Sequence, residues 1–161
     1  MMKSLRISCL ALCATLLLFL QCTVVSAQNT LDTKVQRQVE TILGRLETER
    51  VSLKYKIVLD SEPPIHLEGS LTLEGNCYLA VGNGLEIYSD GSTRWTVDPA
   101  EKEVYIERST GVKEAFAYSD SVKELKISEV QYSSAKGEVK SFRFDTSKLD
   151  SSWVVTDLRE E

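Results

Sequence analysis

Histidine and cysteine are nearly absent from this chain. It holds one histidine, His66, and four cysteines, of which Cys9, Cys13 and Cys22 crowd into the first 22 residues. Beyond them only Cys77 remains. A zinc site needs three or four ligands of suitable type, and no HExxH or CxxC pattern occurs. A cysteine nucleophile wants a histidine base beside it, so Cys77 reads as a small buried hydrophobe and His66 as a residue on the polar face of a strand. Basic residues are also in deficit, 19 against 24 acidic. Nucleic-acid binding, which asks for a basic face, has no support. No glycine-rich loop opens a helix, so a phosphate cradle is missing. The carboxylates are scattered along alternating segments, with Glu101, Glu103 and Glu107 reading as a solvated sheet edge. These absences speak against an enzyme, and no cofactor or metal is expected.

Long apolar runs are equally scarce. The one candidate, Leu10 to Leu20, is interrupted by Thr15 and ends at Gln21, short of the roughly 20 residues that span a bilayer. It follows Lys3 and Arg6, and Val25-Ser26-Ala27 then places small residues at a cleavage site before Gln28. Positive start, apolar centre and small-residue exit form a secretory signal. Residues 1–27 are therefore expected to be removed after Ala27, and residues 28–161 to form a single exported domain. Two other readings of this stretch are a membrane anchor and a lipoprotein signal with Cys22 as the acylated residue; Phe19-Leu20-Gln21 suits the latter poorly. Cleavage leaves one cysteine, and so no internal disulfide in a compartment that permits them. It also removes Lys3 and Arg6, leaving 17 basic against 24 acidic residues, a net charge of −7.

What is present is pattern. Leu31, Val35, Val39, Ile42, Leu43 and Leu46 recur at three- and four-residue steps, which predicts an amphipathic helix over residues 31–50, capped by Asn29, Thr30 or Asp32 and weakest at Gly44. The period then changes to two. Val51 to Leu59 and Ile65 to Leu73 alternate as strands, separated by Ser61-Glu62-Pro63-Pro64. Cys77 to Val81, Leu85 to Tyr88, Thr93 to Val97 and Glu103 to Glu107 continue the series across Gly75-Asn76, Gly82-Asn83-Gly84, Asp90-Gly91 and Asp98-Pro99. These are turn pairs that favour hairpins. Residues 109–120 read as a loop with one helical turn at Lys113–Ala117. Strands are predicted again at Leu125–Tyr132 and Val139–Phe144, with a last edge strand near Trp153–Val155. The expected fold is α+β but mainly β: an N-terminal helix packed on a curved antiparallel meander of seven to nine strands, closed as a barrel or left open.

Strand after strand offers an apolar face, more than one helix covers. That predicts either a packed core or an apolar groove able to take acyl chains. The groove candidates are Leu53, Tyr55, Ile57, Leu71, Leu73, Tyr78, Ile87, Trp95, Val104, Ile106, Phe142 and Phe144.

The ordered set Gly69 to Tyr78, Ile87-Tyr-Ser-Asp-Gly-Ser-Thr-Arg-Trp95, Val97-Asp-Pro99, Glu103-Val-Tyr-Ile106 and Phe142-Arg-Phe-Asp145 through Leu158 resembles the LolA family of periplasmic lipoprotein carriers. The resemblance spans nearly all of residues 28–161. It implies an unclosed β-barrel under a helical lid and an apolar interior that shields lipoprotein acyl chains. The partners it implies are lipoproteins, an inner-membrane releasing transporter and an outer-membrane acceptor, with the carrier acting as a periplasmic monomer. Two features depart from the family. Gly75 stands where many carriers have a lid-latching arginine, and residues 109–124 leave little room for extra lid helices. The alternative on the same fold is a lipid-binding or envelope-stress-sensing module without carrier activity.

Overall fold

The N-terminal helix is shorter than its apolar period. The structure, a computed structural model, describes residues 33–116, 121–137 and 139–159, and in it α1 runs from Thr33 to Leu43. The signal segment, Leu31 and the proposed caps lie outside the described residues. Gly44 ends the helix where its low propensity predicts weakness: its N–H bonds four residues back, to Glu40, in the helical pattern. Arg45 and Leu46 then bond three residues back, to Ile42 and Leu43. The expected helix to residue 50 is thus corrected, because Glu49 and Arg50 already belong to the first strand. Leu46 still continues the buried stripe of Val35, Val39 and Ile42.

Six strands follow as a meander: β1 (Glu49–Leu59), β2 (Ile65–Glu74), β3 (Cys77–Gly82), β4 (Leu85–Ser89), β5 (Thr93–Asp98) and β6 (Glu103–Arg108). Each pairs antiparallel with the next. The turns form as their residues dictate. Asn83 and Gly84 both take positive φ, +53° and +81°, in the two-residue loop joining β3 to β4. This is the geometry that Asn-Gly favours. The Asn83 side chain also extends the sheet, its amide oxygen accepting from Glu68 N–H at 2.9 Å. Asp90 and Asp98 close their turns by accepting backbone N–H bonds from Ser92 and Thr93, and from Ala100 and Glu101.

The meander breaks down after β6. β7 (Val122–Ser134) returns to pair antiparallel with β1, and β8 (Val154–Asp157) pairs in parallel with β6. The sheet order is β7-β1-β2-β3-β4-β5-β6-β8, unclosed and curved, with β7 and β8 at its edges. Mainly β with one helix on an open sheet is therefore the architecture; a pure meander is not. The predicted strand at Val139–Phe144 is also corrected. Those residues hold a short 3-10 turn, Val139–Phe142, followed by irregular chain and a second turn at Thr146–Lys148. The reason is topological. β7 ends at one edge and β8 lies at the other, so the chain between them must cross a face of the sheet rather than join its ladder. β6, paired on both sides, is likewise no edge, so Glu103 and Glu107 do not guard one. Among the described residues no helix is long and apolar enough to cross a membrane.

Candidate functional site

Side chains alternate between the two faces of a strand, and directly opposed residues share a face. The register therefore sorts the twelve groove candidates. On the face carrying α1 the pairs Leu53↔Leu71↔Ala80↔Ile87 and Val51↔Leu73↔Tyr78 run across four strands. Ile42 and Leu46 close over them, and Val51 and Leu73 have no exposed surface. Tyr55, Ile87, Ala80 and Ile127 pack on the same core and are only partly buried. Val35 and Val39 cover Leu125 beside Ile57. Seven candidates (Leu53, Tyr55, Ile57, Leu71, Leu73, Tyr78 and Ile87) are thus brought together.

The other five lie on the opposite face. Ile87 opposes Thr96, so Trp95 and Val97 project to the far side, where Val104 and Ile106 join them. The chain from Ala135 to Trp153 crosses this face and plugs it: Phe144, Leu149 and Trp153 pack on Tyr88, Trp95, Val97, Val104 and Ile106. The Phe144 and Tyr88 rings lie 5.5 Å apart. Phe142, 1% exposed, sits under the Arg50 guanidinium. The twelve residues therefore line two surfaces, not one groove. β3 serves both, with Tyr78 and Ala80 on one side and Cys77 and Leu79 on the other.

The helix-side apolar surface is walled by a polar cluster that the sequence reading missed. The row Tyr78↔Ser89↔Arg94↔Glu107 crosses β3 to β6. Glu114, from the 3-10 turn Val112–Phe116, drops onto it. Its carboxylate accepts from Tyr78 Oη at 3.2 Å, Arg94 Nη1 at 3.2 Å and Ser109 Oγ at 3.1 Å, and also from the Thr110 N–H. Arg94 Nη2 reaches Glu107 at 3.1 Å, and Ser89 Oγ meets Ser109 Oγ at 2.7 Å. Burial, and next the Glu114 charge, push the Tyr78 phenol up to about 12. Burial alone would lower Arg94, but Glu107, Tyr78 and Glu114 outweigh it and hold its pKa above the ordinary value. The cluster fastens the segment after β6, so that Val112, Ala115 and Phe116 press onto the apolar core. Gly111 allows the close approach: its φ is +89°, and a Cβ there would lie 2.1 Å from Asn76 Oδ1. Asn76 Oδ1 itself accepts from Val112 N–H.

Chemically the arrangement is a support. The Tyr78 hydroxyl is spent on Glu114, and both Arg94 end nitrogens are spent on carboxylates. Among the described residues no group of three or more histidine, cysteine or acidic side chains is placed to hold a metal ion. Cys77 is free and buried, and burial first, then Asp90 and Glu74, raise its thiol pKa. His66 is exposed on the far face, beside a depression lined by Lys56, Glu68, Asn83, Glu124 and Lys126. At Gly75, where the resemblance led one to look for an arginine latch, the backbone makes a tie instead: Gly75 N–H donates to Leu46 C=O at 2.8 Å.

The rim of the helix-side face is less well covered than its centre. Past the reach of Ile42 and Leu46, the side chains of Tyr55, Ile57, Leu67, Leu85 and Ile87 are half-buried. They form an apolar strip continuous with the core, flanked by half-exposed Thr96 and Tyr105. No protein-family model matches the chain, and no curated protein matches it.

Proposed function

We propose that this chain is an exported, LolA-like lipid-shielding protein: a periplasmic carrier, without enzymatic activity, that receives the acyl chains of lipoproteins on its helix-side apolar face. The observation that carries the reading is the half-buried strip Tyr55, Ile57, Leu67, Leu85 and Ile87, which continues a core covered by one short helix and the turn Val112–Phe116. An acyl chain gains about 0.8 kcal/mol for each CH₂ it buries, so a soluble carrier must offer such a surface. It must also release its load, which suits a strip at the rim better than a sealed cavity. In this reading residues 1–27 are the cleaved signal and Gln28 begins the working protein. The partners are lipoproteins, a releasing transporter in the inner membrane and an acceptor in the outer membrane.

The test is binding of a triacylated lipopeptide, followed with an apolar probe dye. Ile87→Asp is expected to weaken binding at least about tenfold, since it sets a charge against the acyl chain. Val81→Asp, at an exposed position on the other face, leaves binding unchanged. No measurable affinity in the wild-type protein sinks the proposal. A filled core, with Ile42, Val51 and Leu73 fully covered, favours the second reading of a lipid-binding or sensing module on the same frame. Binding without transfer to acceptor vesicles would select it.

A further inference from the structure

The two faces of the sheet are closed by very different means. From Lys136 to Trp153 the described backbone–backbone hydrogen bonds all close within the crossing segment itself: Val139 to Gly137, Arg143 to Lys140, Lys148 to Asp145, Leu149 to Thr146 and Trp153 to Asp150. Its polar ties to the sheet run through side chains, and two carboxylates carry the strongest. Glu74, at the end of β2, accepts from Lys136 N–H at 3.1 Å and Gly137 N–H at 2.6 Å while paired with Arg50 at 2.5 Å. Asp90, in the β4–β5 turn, holds Arg143 at 2.8 Å. The side chains of Glu74 and Asp90 are 8% and 5% exposed. Between them lies Cys77, directly opposite Glu74 in the register, on the strand against which the turn Val139–Phe142 packs.

We propose that the crossing segment from Lys136 to Trp153 forms a detachable strap, which lifts from the far face as a unit while β1 to β7 stay paired, and so bares a second apolar surface (Trp95, Val97, Val104, Ile106) together with Cys77. A segment whose described residues make no ladder bonds to the sheet, held by a few large apolar plugs, two ionic clasps and the bonds that Arg50 and Lys102 donate to the Ser141 and Ser152 hydroxyls, opens at lower cost than the sheet beneath it. Lifting also frees β8, whose four-residue parallel pairing with β6 is the weakest join in the sheet. This proposal concerns the face opposite the acyl-binding strip and does not depend on that reading.

The clasps make opening sensitive to acid. Both carboxylates sit below their ordinary values of 4.5 and 3.8 despite burial: Glu74 through Arg50 and the Lys136 and Gly137 N–H groups, Asp90 through Thr93, Ser92 and Arg143. The titratable and charged groups facing them are Arg50 from β1, Cys77 from β3 and Arg143 from the strap. A depressed carboxylate stabilises above its unfolded pKa, and that stability is lost as pH falls through the folded value. The strap should loosen below about pH 4.

The chain's two tryptophans, Trp95 and Trp153, both sit in the strap contact, so their emission reports it while far-UV circular dichroism reports the sheet. In an acid titration of the full chain, the tryptophan red shift is expected at higher pH than loss of the strand signal. At neutral pH, N-ethylmaleimide labelling of Cys77, read by mass spectrometry of its peptide and normalised to the thiolate fraction taken from the pH dependence of the rate, should quicken about tenfold in Glu74→Gln, because charge-assisted bonds are lost. A smaller rise is expected in Arg143→Ala, whose removed side chain is 57% exposed, so that variant keeps the test open if the first fails to fold. Coincident tryptophan and circular-dichroism transitions, or unchanged Cys77 labelling in either folded variant, would overturn the proposal.

Discussion

The sheet carries two apolar cores back to back, made of the same kinds of residue and closed by opposite strategies. On the helix side, a regular helix and a 3-10 turn supply aliphatic side chains over Val51, Leu71 and Leu73, and a buried ionic cluster pins the turn. On the far side an irregular strap supplies aromatic plugs over Val97 and Val104. The first closure makes its own backbone bonds and adds packing. The second has little backbone order and rests on a few large side chains and two carboxylates. The difference predicts where each core fails. Loss of one contact on the helix side should be felt by the whole sheet, whereas loss of one plug on the far side should first free the strap.

The largest effects test that directly. Phe142→Ala is expected to cost about 3–5 kcal/mol and Leu73→Ala about 2–5 kcal/mol, the range for emptying a fully buried site. Size does not separate them; shape does. In urea denaturation, Leu73→Ala should keep the tryptophan and circular-dichroism transitions together, and Phe142→Ala should move the tryptophan transition ahead. Separation in Leu73→Ala with coincidence in Phe142→Ala would reverse the assignment of the two closures.

Next comes the ionic cluster. Arg94→Ala leaves Glu107 and Glu114 facing each other with their shared cation gone. Removing one partner of such a part-buried group is expected to cost about 3 kcal/mol, measured by the urea midpoint. The cluster also has an alkaline signature. Tyr78, raised from 10.0 to about 12, contributes stability that is fully present below pH 10 and lost as pH rises through about 12. Ultraviolet titration should show a late-ionising phenol that disappears in Tyr78→Phe. Tyr88, on the far face, is also held at about 12 by burial and by Glu86, so one late phenol must survive that substitution.

Much of this division was legible in the chain, through parity rather than hydrophobicity. A hairpin with an even number of loop residues places odd-numbered positions opposite even-numbered ones. The apolar residues of β4 at Leu85 and Ile87 therefore demand even-numbered apolar partners in β5. Trp95 and Val97 are odd, so they had to fall on the other face whether the Asp90-Gly91 turn held two residues or four. β6 agrees, since Val104 and Ile106 face them. Pooling all apolar strand residues into one groove discarded that phase. The strap was not legible in the same way. Val139, Phe142 and Phe144 have strand-like composition, and only knowledge that β7 returns to β1 shows that the next segment must cross a face. Arg94 and Glu114 were hidden because charged residues at alternate positions ordinarily mean solvent; their burial depends on a turn placed after β6. The helix end at Gly44 and the turns at Asn83, Asp90 and Asp98 were readable because each rests on local backbone chemistry.

Two glycines give a smaller contrast on the helix side. Gly111 and Gly75 both take positive φ, +89° and +56°. A Cβ on Gly75 meets nothing within 4 Å, whereas one on Gly111 collides with Asn76. Gly111→Ala is expected to cost about 3 kcal/mol, with strain and the lost seat of Val112 combined. Gly75→Ala should cost about 1 kcal/mol, the left-handed penalty alone. Equal thermal midpoints in the two variants would mean that the Asn76 contact yields freely and that the turn after β6 is not tightly seated.

The smallest expected effect isolates what the strap contributes. Arg50↔Glu74 and Lys56↔Glu68 are both directly opposed pairs on β1 and β2, and both point to the far face. They share register geometry and charge signs on the same two strands, and differ in cover. The first lies beneath the strap, its side chains 16% and 8% exposed; the second is open to water at 68% and 67%. An exposed pair is screened by salt, and the order imposed on two long side chains offsets its attraction. Lys56→Ala should accordingly leave the thermal midpoint unchanged within error, at low and at high salt, while Arg50→Ala leaves Glu74 buried without its cation and joins the large effects above. If Lys56→Ala lowered the midpoint as far as Arg50→Ala, the cover would contribute nothing to the clasp, and the strap would be a passive passenger on a face stabilised by its own charges.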